Sequence, residues 1–480
     1  MTHPVPPIRG LPGPVLAILY VAALLLPLLL ALMSGRGPQG PWQEAASGLG
    51  FVAAVALMLQ FVTSGRFESL SGRIGIDTTM AFHKWVARTL AVIVVIHPLL
   101  YVMPQLATDP GRALWRFGHL LTSPRYLTGV VALVLLLTVV VLALLRDRLG
   151  ARYEAWRASH AVLALAAAAF TVLHALRAGS YSRELPLSLY WPLLAVLVVA
   201  AALVIYGIRT WRMRTTPWRV ASVEKVADGL WELRLAAETG ARLAYRAGQF
   251  AWIAFGRWRF PLLDHPFSIG AAPAASDGLS FVIKESGDFT HHIGAMAPGT
   301  PVGLDAPHGS FVLDDAAQVI VLVAGGVGIA PVLGLLRELA ARGDRRPIRL
   351  VYAGGRPDGM IAPERLIAEA AGLDLKAIFL AEEAGAGWAH DRGRVTPEVV
   401  TRALDGCDPA RVSAMLCGPG VMMCAVCDLL HRAGVPLKAI RYERFDYADG
   451  ARSAKDRQAL LHFAGVGVAV LAAVVAFALR

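Results

Sequence analysis

The chain is 480 residues long, 56% hydrophobic and only 17% charged, with a mean hydropathy of +0.54. That is too apolar for a soluble protein of this length and sufficient for a membrane domain plus one or two soluble ones. The formal charge of +11 belongs to one part of the chain: residues 1–216 hold 18 Lys and Arg against 7 Asp and Glu, leaving 28 of each in the remainder. A nucleic-acid surface would be basic, solvated and interleaved with aromatics, and no such stretch occurs. Loop asymmetry at a membrane, with lipid as partner, explains the excess better.

Residues 1–14 carry Pro, Gly and a single Arg9 and read as a flexible lead. The apolar run Pro14–Met33 has the length of a signal peptide but no small-residue cleavage site, and further apolar runs follow it, so it reads as a first span. Six spans are expected, at 14–33, 46–63, 82–103, 126–145, 158–177 and 187–208, each near the length a bilayer requires. With the N-terminus inside, twelve Lys and Arg fall on the cytoplasmic side and six on the other, which favours that orientation at a bacterial inner membrane.

The third span carries His83 and His97, the fifth His160 and His174, both pairs fourteen residues apart. Fourteen steps at about 100° come within roughly 40° of a whole number of turns, so the two imidazoles of each pair share a helix face about 21 Å apart along the axis. Ionisable side chains inside membrane spans are costly and usually functional. Two such helices side by side offer two stacked pairs of axial ligands: His83 with His160 at the inner level and His97 with His174 at the outer, enough for two b-type haems.

At Thr215-Thr216-Pro217 the composition changes. Short strand-like runs (Trp218–Val226, Trp231–Ala236, Phe250–Phe255), broken by Gly and polar residues, predict an antiparallel β-barrel over 215–315. From residue 316 to about 450, buried strands alternate with helices: Val319–Val323, Pro331–Ala341, Ile348–Tyr352, Ala362–Ala371, Leu375–Leu380 and Arg411–Cys417. This is the pattern of an α/β domain with a parallel sheet. A last apolar run, Ala459–Leu479 within 457–480, lacks the polar face of a surface helix and reads as a C-terminal transmembrane helix. It would tether the soluble part near the membrane, or pack against another chain through its Gly465-x-Gly467 face. Cys424 and Cys427 form a CxxC without the second pair that a zinc site needs, so packing is the simpler reading.

Three stretches carry soluble chemistry. Asp264-His265-Pro266-Phe267-Ser268-Ile269 places a hydroxyl on an extended strand beside an aromatic, which suits a flavin ring, the hydroxyl facing N5. Lys284, Gly287, Asp288 and Thr290 lie where a strand ends and a helix is expected to open, a phosphate cradle for FAD. Ala324-Gly325-Gly326-Val327-Gly328-Ile329-Ala330-Pro331 follows a strand and precedes a helix, so its glycines admit a pyrophosphate and Pro331 suits the first turn. Arg356, past the next strand, would meet the 2′-phosphate of NADPH, with NADH the alternative donor. Cys417-Gly418-Pro419 ends another strand at the same sheet edge, where a nicotinamide would lie.

In this order the motifs resemble the NADPH oxidase and ferric reductase superfamily, over roughly residues 15–447. The resemblance implies a multi-domain membrane protein: an all-α six-helix transmembrane haem domain (1–214), a β-barrel FAD domain (215–315), a parallel-sheet NAD(P)H domain (316–450), and here a C-terminal helix beyond. It also implies that Phe445, in Glu443-Arg444-Phe445-Asp446-Tyr447, stacks on the isoalloxazine, and that the acceptor outside is O2 or a ferric chelate. A dedicated periplasmic redox protein is the third possible acceptor. Some oxidase members carry a His one turn beyond the outer ligand; here that position is Tyr101.

Overall fold

The computed structural model describes residues 7, 9–150, 152–238, 240–256, 258–274, 278–444 and 452–480. The chain divides into two compact units, one made of residues 9–208 with 461–480, the other of 209–460 with the first eight residues.

The first unit is helical: α1 (Gly13–Met33), α2 (Pro41–Leu59), α3 (Ile76–Leu100), α4 (Pro110–Thr122), α5 (Leu127–Leu144), α6 (Tyr153–Ala178) and α7 (Leu187–Ala202). Pro41 and Pro110 occupy first-turn positions that need no N–H, and Asp109 caps α4 by accepting from Arg112 N at 2.9 Å. Both starts lie where a breaker meets an apolar run, which is why α2 begins at Pro41 rather than 46. α3 likewise takes in Asp77, Thr78 and Thr79 and begins at Ile76 rather than 82. α5 packs along α6 and α2 along α3. Helix α4 is short and amphipathic, with Leu114 and Trp115 left exposed. Among the described residues seven helices are long and apolar enough to cross a membrane, six of them before residue 216.

The second unit contains two sheets. Strands β1 (Trp218–Ala227), β2 (Leu230–Ala237), β3 (Phe250–Phe255), β4 (His265–Ser268), β5 (Gly278–Lys284) and β6 (Pro301–His308) form an antiparallel sheet in the order β4-β3-β6-β1-β2-β5. Its two outer strands meet at an isolated bridge, Ile269 to Phe281. The expected helix after Thr290 is one 3-10 segment, Thr290–Ala295, and not an α-helix. It is too short to present the row of free N–H groups expected of a helix terminus.

Strands β7 (Val319–Gly325), β8 (Ile348–Gly354), β9 (Leu375–Ala381), β10 (Asp391–Arg392), β11 (Val412–Gly418) and β12 (Ile440–Arg444) form a parallel sheet ordered β10-β9-β8-β7-β11-β12. Helices α8 (Ile329–Arg342), α9 (Pro363–Glu369), α10 (Pro397–Ala403) and α11 (Gly420–Arg432) cover it, with apolar cores on both faces. The strand order reverses between β7 and β11, the point at which open α/β sheets take their ligands.

Helix α12 (Ala454–Ala478) closes the chain, starting five residues before the apolar run because Ala454–Gln458 continue the helix into polar sequence. Residues from 461 onward belong to the helical unit, where Val470, Val474, Phe477 and Ala478 are buried. Of the small-residue face, Gly467 sits against Trp85 of α3, whereas Gly465 faces open space.

Candidate functional site

In the helical unit the four histidines meet in the pairs their spacing implies. His83 and His160 have ring centres 6.4 Å apart; His97 and His174, 6.5 Å. Two imidazoles on one iron, bonded at roughly 2 Å with about 1.1 Å from nitrogen to ring centre, stand about 6.3 Å apart. The residues therefore fit a haem iron at each level. Small residues make the room: a Cβ on Gly50 of α2 would fall 2.7 Å from His97 Cε1, and one on Gly129 of α5 would fall 2.5 Å from His174 Cε1. His97 Nδ1 lies 2.8 Å from the Ala46 carbonyl; as an N–H donor there it leaves Nε2 as the lone-pair nitrogen. Among the described residues the buried Nδ1 atoms of His83 and His174 have no hydrogen-bond partner.

The inner pair has an aromatic neighbour, Trp156, whose ring centre lies 5.6 Å from that of His160, with Arg146 over the indole at 4.6 Å. At the outer pair Tyr101 packs edge-on to His97 at 5.5 Å and shares a hydrogen bond of 3.3 Å with Ser47. Sequence reasoning missed Ala46, Gly50 and Gly129. The glycines inside apolar spans were a usable signal, whereas a backbone carbonyl leaves none.

In the second unit β4 is an edge strand, which accommodates Pro266 because no ladder donor is required of it. Ser268 is 3% exposed and its hydroxyl has no partner among the described residues, the orphan expected if a flavin edge completes it. The ring of His265 stacks on Phe289 at 4.4 Å and 7°, and Phe267 lies 6.4 Å from His265, so β4 and the Gly287–Thr290 turn are brought together. Thr290 Oγ1 accepts from Ser286 N at 2.7 Å, closing that turn locally. Lys284 and Asp288 stand exposed beside it. Phe445 lies outside the described residues.

At the sheet's switch point β7 and β11 pair with Ala324 opposite Cys417, which brings Gly325 and Gly328 against Cys417, Gly418 and Pro419, while Gly326 takes a left-handed φ of 53° and faces open space. A Cβ on Gly328 would fall 2.0 Å from the Cys417 carbonyl oxygen, so this turn tolerates no side chain. Ala330 and Pro331 are buried in the first turn of α8. Arg356 stands apart: exposed past β8, it pairs with Asp358, Nε to Oδ1 at 3.1 Å.

One cluster that motif reading did not anticipate joins the two sheets. Arg337 of α8 donates to Glu232 of β2 at 3.0 Å, to the Gly270 carbonyl at 2.9 Å and to Glu369 of α9 at 2.6 Å. Arg365 reaches the other oxygen of Glu232 at 2.7 Å. Burial by itself would raise the Glu232 carboxyl; the Arg337 guanidinium beside it outweighs that and holds it below the usual carboxylate range. Glu232 lies 105 residues from Arg337 and 133 from Arg365, so no local pattern announces the cluster.

Comparison with known proteins finds three family matches at separate places in the chain. Residues 49–171 match a family described as a ferric reductase like transmembrane component, 216–302 an FAD-binding domain and 322–428 an oxidoreductase NAD-binding domain. The chain is similar to the reductase component of propane 2-monooxygenase from Mycolicibacterium goodii, 29% identical over 238 residues, covering 47% of this chain and 66% of that protein. It is likewise similar to the electron transfer subunit of dihydroorotate dehydrogenase B (NAD(+)) from Desulforamulus reducens, 29% identical over 236 residues, covering 48% and 84%. The chain thus spans just under two thirds of the length of the first of these relatives. Among solved structures, a ferredoxin NADP+ reductase from Neisseria gonorrhoeae aligns with 48% of this chain and 97% of its own, at 20% identity and a TM-score of 0.41.

Proposed function

The chain joins a ferric-reductase-like transmembrane component to FAD- and NAD-binding domains of the ferredoxin–NADP reductase type, and from that premise we propose that it carries electrons across a membrane. They pass from cytoplasmic NAD(P)H, through FAD and two b-type haems, to an acceptor on the outer side, where O2 is reduced to superoxide. The observation that carries this reading is the pair of histidine couples, 6.4 and 6.5 Å between ring centres, stacked on two apolar helices. FAD, when bound, converts a two-electron hydride into single-electron transfers, and each haem supplies a one-electron site.

His83 and His160 hold the inner haem, His97 and His174 the outer. Held by two imidazoles each, the haems would supply one-electron sites and leave no histidine free for the acceptor among these four. Ser268 faces the flavin N5, with Pro266, Phe267 and His265 shaping its strand and Phe445 as the stacking aromatic. Lys284, Gly287, Asp288 and Thr290 line the FAD phosphates. Gly325, Gly326, Gly328, Ala330 and Pro331 admit the pyrophosphate of the nucleotide; Cys417, Gly418 and Pro419 border the nicotinamide. Arg356 is the 2′-phosphate partner that selects NADPH, and NADH binds without that contact. The excess of Lys and Arg on one side supports an N-terminus and reductase domains in the cytoplasm, at a bacterial inner membrane.

A second reading is a ferric-chelate reductase. It is favoured by the match of residues 49–171 to a ferric reductase like transmembrane component. NADPH consumption by purified, FAD-supplemented protein separates the two, in air and then anaerobically with a ferric chelate. Rapid turnover in air with dismutase-sensitive superoxide supports the oxidase. Slow turnover in air with fast anaerobic reduction of the chelate overturns it in favour of the reductase, and slow turnover with both points to a periplasmic redox protein.

A further inference from the structure

Glu44, in the first turn of α2, is 1% exposed, and so buried a carboxylate requires partners. It accepts from Gln39 N at 2.9 Å, from the Tyr181 hydroxyl at 2.9 and 2.8 Å, and from Arg480 Nη2 at 3.2 Å. Arg480 also donates to Tyr181 at 2.6 Å and lies over the ring of Phe477 at 4.0 Å. The end of α12 is therefore ionically fastened to the start of α2.

Two faces of α2 link this fastening to the outer histidine pair. Gly48 and Gly50, two residues apart, project about 200° from one another around the helix. On the Gly48 side a Cβ would lie 3.1 Å from Val474 Cγ1 and 3.4 Å from Phe477 Cδ1, so α12 seats directly on the α2 backbone. On the Gly50 side lies the His97 ring, and the Ala46 carbonyl two residues after Glu44 meets His97 Nδ1 at 2.8 Å. The helix that receives α12 on one side thus orients an axial ligand on the other.

We propose that Arg480, Glu44 and Tyr181 form a positioning clamp for the outer haem: α12 fixes the first turns of α2, and the Ala46 carbonyl then holds the His97 Nδ1–H and keeps Nε2 presented to the iron. The proposal rests on the di-haem reading above. A hydrogen bond from the far ring nitrogen raises ligand basicity and favours the oxidised iron, so slackening the clamp raises the potential of the outer haem and leaves the inner one unmoved.

The test compares wild type with Arg480→Ala and Arg480→Lys. A spectroelectrochemical titration resolves the two haems, and hydrogen exchange of the 41–50 segment is followed in protein with and without haem. In Arg480→Ala the expected result is an upward shift of one haem potential only, faster exchange over 41–50 in both preparations, and an unchanged rate of flavin reduction by NADPH, with Arg480→Lys restoring most of each. Unchanged potentials, or a shift of both haems alike, with exchange as in wild type would overturn the clamp while leaving the di-haem reading intact. A wild-type protein that purifies without haem would overturn the di-haem reading itself. Should Arg480→Ala fail to accumulate, Glu44→Gln, which keeps the shape and removes the charge, is read the same way.

Discussion

The four histidines earn their pairing from their neighbours as much as from their own spacing. His174 lies against Gly129 so closely that a methyl there would fall 2.5 Å from its ring, and the neighbour that must yield is the imidazole itself. Gly129→Ala is therefore expected to displace His174, costing roughly 1–3 kcal/mol of overpacking. The spectrum should report the loss or five-coordination of one haem while the other keeps its bands; two unaltered haems would count against His174 as a ligand. The histidine spacing was legible because a single period repeats on two apolar runs. The space around the rings was not, because it is made by the absence of side chains on helices distant in sequence.

At the scale of elements, the contact between the two sheets depends on an ion cluster. Glu232 is 1% exposed, and Arg337 and Arg365 are its counter-charges. A carboxylate held below its ordinary range contributes stability that is complete above its unfolded value and is lost as pH falls through the folded one, so this contact weakens only on acidification below the ordinary carboxylate range. Arg337→Ala removes one of the three guanidinium groups around the buried carboxylate, Arg365 and Arg234 remaining, an expected cost of about 1–3 kcal/mol. Flavin-release temperature measured against pH tests both statements. The variant should release flavin at lower temperature near neutral pH, and the gap to wild type should close as Glu232 becomes protonated. A gap that persists at low pH would assign the loss to packing.

The strands and spans themselves were well marked in the sequence. An unbroken Val-Ile-Leu run marked β7, a mixed apolar run with Ser413 and Met415 marked β11, and a Gly-rich turn opened α8. What the sequence left open was closure and capping: the Ile269–Phe281 bridge, the 3-10 segment in place of a helix after Thr290, and the early start of α2 at Pro41. Each depends on one or two residues whose effect is decided by tertiary neighbours rather than by periodicity.

The whole molecule is a donor module and a histidine-bearing membrane module in one chain, with a last helix that returns into the membrane unit. In the proposed path electrons run against the order of the chain, from the NAD-binding domain through the FAD-binding domain to the histidine pairs, since a hydride must be split before single electrons can enter a one-electron carrier. The central claim is that two haems sit one above the other on α3 and α6, and counting haem per polypeptide tests it most directly. A pyridine haemochrome assay on wild type should give two haem b per chain. His97→Ala should lose the outer one, stop electron delivery to an external acceptor, and still allow NADPH to reduce the flavin. One haem or none in fully folded, flavin-loaded wild type, or two haems retained in His97→Ala, would contradict the account.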